Sequence, residues 1–301
     1  MRHNVFRDIY DSPDYRNAPT KIPSFPFIVD VEVTNHCNLN CVFCGQRDMA
    51  RPKGFISFEH VSKIADECRM HGAAIRFIRW GEPFLHPNFI DLCVAVKNRG
   101  IPLHITTNGT LLKDWKMEKL VEIGLDSLIF SFQGASQSNY EEMRGPHYSR
   151  LVDTVHKMVS VRGTADKPFI HISTTVTDES EQEIVSFINR WNAVVDSVGV
   201  GKTNLTRVPV PQDLRARETI EHTYRPCTEV YQKLSVDWDG TITACCLDHD
   251  NMMALGDIST TSLAYIWNNS RTLKLYRELL GMNKHRSLAL CRTCFHPYKE
   301  F

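Results

Sequence analysis

The chain has 301 residues, 42% hydrophobic and 23% charged, enough to bury one large or two modest cores. Lysine plus arginine equals aspartate plus glutamate at 35 each, so no overall charge bias recruits nucleic acid or an anionic membrane. The opening MRHNVFRDIYDSPDYRNAP lacks a signal peptide's apolar core, and no later run approaches the roughly 20 apolar residues of a membrane span, so a cytoplasmic protein without a membrane partner is expected.

Residues 1–24 read as an irregular arm. β-Branched apolar runs then appear at 27–34, 74–80, 101–107, 126–132, 169–176 and 196–201. Between them lie segments of helical periodicity such as SFEHVSKIADECRMHG, LLKDWKMEKLVEIG and EEIVSFINRWNAVV. Six strand-then-helix units imply an α/β fold whose parallel sheet has right-handed crossovers and is open or curled into a partial barrel, with ligands at the strands' carboxyl ends. After residue 204 the regularity breaks at LTRVPVPQDL. KLSVDWDGTITACC reads as a β-hairpin turning on Asp239-Gly240 in a two-residue type I′ turn. One helix, TSLAYIWNNSRTLKLYRELLG, follows, and the sequence closes on CRTCFHPYKEF. The expected organisation is an arm at 1–24, a first domain at 25–204 and a small α+β module at 205–301.

Ten cysteines in a chain with no secretory signal point to metal ligands rather than disulfides. Cys68 and Cys93, alone in helical patterns, read as small buried hydrophobes. Cys37, Cys41 and Cys44 follow the first strand in TNHCNLNCVFC. A structural zinc site wants four closed ligands, whereas three thiolates suit a [4Fe–4S] cluster with one iron left open.

C-x3-C-x2-C with Phe43 before its last cysteine resembles the signature of the radical S-adenosylmethionine (radical SAM) enzymes. RWGEPFLHP (79–87), TTNGTLL (106–112), SFQG (131–134) and YEEMRG (140–145) resemble the family's other motifs in the same order. The resemblance implies a partial (β/α)6 TIM-like barrel and an open iron that chelates S-adenosylmethionine and generates a 5′-deoxyadenosyl radical. It further implies that Gly81 and Glu82 receive the methionine ammonium, Arg144 its carboxylate, Asn108 and Ser131 the ribose, and that Phe43 lies near the adenine. Taken singly, Asn108 and Ser131 would be strand-end caps and Glu82-Pro83 a turn. Trp80 departs from the family, standing at the motif's first glycine. An electron donor such as flavodoxin or ferredoxin is the implied protein partner.

Cys227, Cys245, Cys291 and Cys294 come from a loop, a hairpin and a terminal C-x2-C, a set able to close a structural zinc site. Their surroundings resemble the SPASM/twitch modules of radical SAM enzymes, which implies an auxiliary [4Fe–4S] cluster. The spacing is most similar to that of 2-deoxy-scyllo-inosamine dehydrogenase. Cys246 is an extra thiol, like that of radical SAM epimerases, and strand alternation turns it to the face opposite Cys245. As a hydrogen-atom donor it would make the reaction an epimerisation; as a bystander it leaves a two-electron oxidation of an alcohol.

A small polar substrate is expected, namely a sugar, amino sugar, aminocyclitol or aminoglycoside, in carbohydrate or antibiotic biosynthesis. Candidate contacts are Gln133, Lys202, Asn204, Arg207, Asp248, His249 and Asp250, with an acid among Asp248 and Asp250 assisting proton removal. The rival readings are a peptide- or protein-modifying radical SAM enzyme and, outside catalysis, a zinc or iron–sulfur binding module.

Overall fold

The computed structural model describes residues 2–205, 208–218 and 227–294. Its strands are β1 (Ile28–Val31), β2 (Ala74–Phe77), β3 (Leu103–Thr107), β4 (Ser127–Ser131), β5 (Phe169–Val176), β6 (Ser197–Lys202), β7 (Lys233–Val236), β8 (Thr241–Thr243) and β9 (Ala254–Asp257). The helices are α1 (Val5–Asp11), α2 (Pro13–Arg16), α3 (Phe58–His71), α4 (Phe89–Lys97), α5 (Asp114–Glu122), α6 (Gln137–Arg144), α7 (Tyr148–Arg162), α8 (Glu181–Asn192), α9 (Gln212–Arg215), α10 (Glu229–Gln232), α11 (Leu263–Asn269) and α12 (Arg271–Gly281).

Among the described residues all nine strands share one sheet in the order β6-β5-β4-β3-β2-β1-β7-β8-β9, and β1 to β6 are parallel throughout, as a partial (β/α)6 barrel requires. Alternation separates its faces. Val29, Val31, Ile75, Phe77, Leu103, Ile105, Leu128, Phe130, Ile170 and Ile172 form the face beneath the helices, each worth about 1.5–3 kcal/mol of burial. Cys68 of α3 and Cys93 of α4 lie in that core, as expected. The other face is polar: Asp30, Arg76, His104 and Ser127 stand in register across four strands, with Arg76 gripping both Asp30 oxygens at 2.6 Å.

Three local expectations fail for identifiable reasons. The arm is helical, because Asn4 and Ser12 accept from the N–H groups of Phe6 and Tyr15 and so start α1 and α2. Phe6 and Tyr15 then pack on Ile28 and Ala74, and Phe6 meets the His104 ring edge-on at 5.4 Å. The hairpin turns through three residues rather than two. Asp237 N donates to Thr241 O at 2.9 Å, and of the turn residues only Gly240 has a positive φ, +97°, whereas a type I′ turn demands two. The single helix expected near the C-terminus is two: Ser270 ends α11 and its hydroxyl accepts Leu273 N to start α12.

The hairpin continues the same sheet, because β7 pairs in parallel with β1 from Ile28↔Lys233 to Val31↔Val236. The loops after β1, β2 and β3 and the β7–β8 turn thereby lie at one end of the sheet; β8 runs back antiparallel, and the segment after it is tied to the loops after β1 and β2 by Arg51 and Arg79. Among the described residues no helix is long and apolar enough to cross a membrane.

Candidate functional site

The loop after β1 carries Cys37, Cys41 and Cys44, free thiols of which Cys41 is buried and the others half-buried. Side chains brace it. Asn35 donates to Pro52 O at 2.8 Å and accepts Gly54 N at 2.9 Å, while Val42 N donates to Met143 O at 2.9 Å. Burial pushes the Cys37 thiol up to about 12, with Glu82 and the two neighbouring thiols adding to it, and burial raises Cys44 as well. Such a trio disfavours bare thiolates; a metal core reverses that, since a coordinating thiol is deprotonated outright.

The residues singled out around this trio gather on it. Asn108 Nδ2 lies 3.9 Å from Cys37 Sγ and donates to Asn38 Oδ1 at 3.0 Å. Arg144, the last residue of α6, brings Nη1 within 3.9 Å of Cys41 Sγ and its guanidinium 5.2 Å from the centre of the Phe43 ring. Its Nε is buried without a hydrogen-bond partner. Gly81 is a close approach: a Cβ there would stand 2.0 Å from Thr34 O, and the next residue's N–H donates to His36 O at 2.8 Å. Glu82 is buried and accepts from Thr107 Oγ1 and Asn108 N at 2.7 Å each and from Phe84 N at 3.2 Å. Burial outweighs these donors and pushes its carboxyl up to about 7. Ser131 ends β4, half-buried and in register with Ser173.

Beside Cys44 opens a cavity of about 230 Å³ whose walls include Phe43, Trp80, Lys202, Asn204, Leu247 and His249. Three of the expected substrate contacts, Lys202, Asn204 and His249, therefore face it. His249 Nε2 is 3.5 Å from Asp250 Oδ2, and its Nδ1 lies over Gly45.

Three others are occupied by the fold. Gln133 donates to Thr175 O and Thr203 Oγ1 at 2.8 Å. Asp248 is fully buried, accepting from Thr243 Oγ1, Met252 N and Met253 N at 2.8, 3.0 and 2.7 Å. Asp250 accepts from Ala50 N at 2.8 Å and Arg51 N at 3.3 Å. Arg207 lies outside the described residues.

At the C-terminal set, Cys227 is pushed up by burial and feels the fields of Cys294 and Cys291. Cys245 occupies the turn after β8, its carbonyl accepting Asp248 N at 3.2 Å and its Sγ accepting Leu247 N at 3.4 Å. Cys246 follows in that turn, not on a strand, so two-residue alternation does not orient it. Its thiol donates instead to Glu229 Oε2 at 3.7 Å, on a carboxylate that pairs with Lys233 at 2.8 Å. Among the described residues no group of three or more His, Cys, Asp or Glu side chains is arranged to hold a single metal ion. The donor sets, seven thiols in two groups of three and four, match the broader iron–sulfur clusters.

Three residues that sequence reasoning passed over hold this end together: Thr107, on Glu82, and the buried arginines Arg51 and Arg79. Arg79's place directly before Trp80-Gly81-Glu82 was the one available signal.

The Radical SAM superfamily model matches residues 31–190, and the SPASM iron–sulfur cluster-binding domain model matches residues 227–295. A tungsten-containing aldehyde ferredoxin oxidoreductase cofactor-modifying protein of Pyrococcus furiosus is 32% identical over 160 residues, 51% of this chain and 45% of that protein. The chain thus spans less than half of that relative's length. SuiB of Streptococcus suis, solved with S-adenosylmethionine, aligns at a TM-score of 0.71 with 18% identity over 93% of this chain and 74% of its own. BtrN, solved with AdoMet and 2-DOIA, aligns at 0.62 with 17% identity over 90% and 93%. At those identities the likeness is one of fold. The family matches take in both cysteine groups; the cofactors are S-adenosylmethionine and two [4Fe–4S] clusters, and the chain belongs to the radical SAM superfamily.

Proposed function

We propose that this enzyme removes two electrons from a C–H bearing alcohol of a small substrate, converting it to a carbonyl. The observation that carries the choice is the direction of Cys246. Its thiol meets Glu229, whereas the neighbouring Leu247 and His249 line the cavity. A hydrogen donor for inversion must face the substrate, so oxidation is favoured over epimerisation.

In this reading Cys37, Cys41 and Cys44 ligate the first cluster, and Cys227, Cys245, Cys291 and Cys294 the auxiliary one, with residues 25–204 and 205–301 as the corresponding domains. When bound, the first cluster with S-adenosylmethionine supplies a 5′-deoxyadenosyl radical that abstracts a hydrogen atom, and the second supplies a one-electron acceptor. Glu82, ionised by the approach of an ammonium, and the Gly81 backbone hold the methionine amine. Arg144, whose Nε is unpartnered, holds its carboxylate; Asn108 and Ser131 take the ribose and Phe43 the adenine. Oxidation also releases a hydroxyl proton. His249 accepts it at Nδ1, the tautomer with Nε2–H turned to Asp250 leaving that nitrogen free. Asp248 and Asp250 are excluded from that role by the donors they already serve. A cavity of about 230 Å³ beside Cys44 supports a small substrate such as a sugar, amino sugar or aminocyclitol over a peptide.

The test is anaerobic incubation of the two-cluster enzyme with a panel of such alcohols in D2O. Oxidation gives a product lighter by two hydrogens, one 5′-deoxyadenosine per turnover and retained activity in Cys246→Ala. Solvent deuterium at carbon, abolished in Cys246→Ala, would establish inversion instead. Turnover of peptides alone would overturn the substrate class.

A further inference from the structure

Arg79 stands between the two halves of the site. It directly precedes Trp80-Gly81-Glu82, and its φ of +120° is one that residues with side chains keep only where their surroundings over-determine it. Its side chain is fully enclosed. Nη1 donates to Cys245 O at 3.2 Å, Nη2 donates to Asp248 O at 2.6 Å, and Nη2 pairs with Asp237 Oδ1 at 2.8 Å. Trp80 Nε1 donates to the same Asp248 carbonyl at 3.3 Å. A second buried arginine grips the next carbonyl: Arg51 Nε donates to His249 O at 2.6 Å while its guanidinium pairs with Glu32 and Asp237 at 2.6 and 3.6 Å.

Three carbonyls of one turn, those of Cys245, Asp248 and His249, are thus held by two guanidinium groups from the loops after β1 and β2. The carboxylates of Glu32 and Asp237 balance the charge but contact the arginines rather than that turn, so the Cys245 backbone meets the cation first. In a buried site of low effective dielectric a fixed positive charge favours the reduced, more negative form of a neighbouring cluster.

We propose that Arg79 is a positioning residue for the auxiliary cluster: it locks the Cys245 turn onto the segment that binds S-adenosylmethionine and raises that cluster's reduction potential, making it the better electron acceptor. The proposal rests on Cys245 being an auxiliary-cluster ligand, as in the function proposed above.

The experiment uses the full chain with Cys37, Cys41 and Cys44 all changed to Ala, so that only the auxiliary cluster reports, and follows its reduction by EPR in a poised redox titration. At the parent's midpoint, Arg79→Gln should lower the reduced-to-oxidised ratio at least tenfold, equivalent to 59 mV for a one-electron couple. Arg79→Lys, which keeps the charge but not the fork, should lie between. If Arg79→Gln fails to hold iron, the Arg79→Lys midpoint decides: a lowered value supports the proposal and an unchanged one overturns it. Unchanged midpoints in both variants, with full iron, overturn it while leaving the ligand assignment intact. A Cys245→Ser spectrum and midpoint identical to the parent's would overturn the ligand assignment and this proposal with it.

Discussion

Gly81→Ala is the smallest change that should disable the cofactor site. The added methyl carbon would sit 2.0 Å from Thr34 O and 2.7 Å from His36 O, and both obstacles are backbone that cannot rotate away. Relief requires the Gly81-Glu82 segment to move off the loop carrying Cys37, which breaks the 2.8 Å bond from Glu82 N to His36 O. Overpacking costs about 1–3 kcal/mol, and the lost hydrogen bond adds roughly 1 kcal/mol. For a chain of 301 residues the sum, about 3 kcal/mol, lowers Tm by about 5 °C. Glu82 moves with the segment, so S-adenosylmethionine affinity should fall at least tenfold, a change of about 1.4 kcal/mol. Calorimetric titration of reconstituted protein with S-adenosylmethionine, paired with thermal melts, reads both. Parental affinity and Tm in Gly81→Ala would refute the close approach on which the site is built.

Removing Glu82's titration should change how stability depends on pH. Its carboxyl is raised by burial from 4.5 to about 7, so the native state keeps a proton that the unfolded chain releases, and its contribution falls as pH rises between those values. The stability difference between cofactor-free parent and Glu82→Gln, from urea melts, should therefore shift against the parent from pH 4.5 to 7; a flat difference contradicts the shift. Asp248→Ala strands three donors, those of Thr243, Met252 and Met253, and should cost about 2–4 kcal/mol with loss of auxiliary-cluster iron; full iron content and an unchanged melt would count against it. Phe6→Ala removes a ring buried against Ile28 and Ala74 and should destabilise by about 3–5 kcal/mol in denaturant melts, whereas a change below 1 kcal/mol would show that α1 is dispensable.

The chemistry was legible where it depends on local spacing. The three N-terminal thiols must follow a strand within a few residues, and Gly81, Glu82, Asn108 and Arg144 sit in short motifs that end neighbouring strands or a helix, so a linear reading finds them. The parallel strands were legible for the same reason, since each apolar face repeats every second residue. What escaped is set by long-range contact. Gln133, Asp248 and Asp250 look like free polar groups until Thr203, Thr243 and Ala50 are found beside them. The arm, capped into α1 and α2 by Asn4 and Ser12, docks where the polar face of the sheet offers Arg76 to Tyr10 and His104 to Phe6. Strand alternation does not orient Cys246, because β8 ends three residues before it. Arg51 carries no motif and Arg79 only its place before Trp80-Gly81-Glu82; the folded chain alone reveals that both reach the turn after β8.

The most direct test of the account is the yield of 5′-deoxyadenosine from S-adenosylmethionine by anaerobically reconstituted, dithionite-reduced protein, measured for the parent and for the chain with Cys37, Cys41 and Cys44 changed to Ala. The account predicts cleavage by the parent and none by the variant, which keeps only its C-terminal cluster. Cleavage that persists without those three thiols would contradict it.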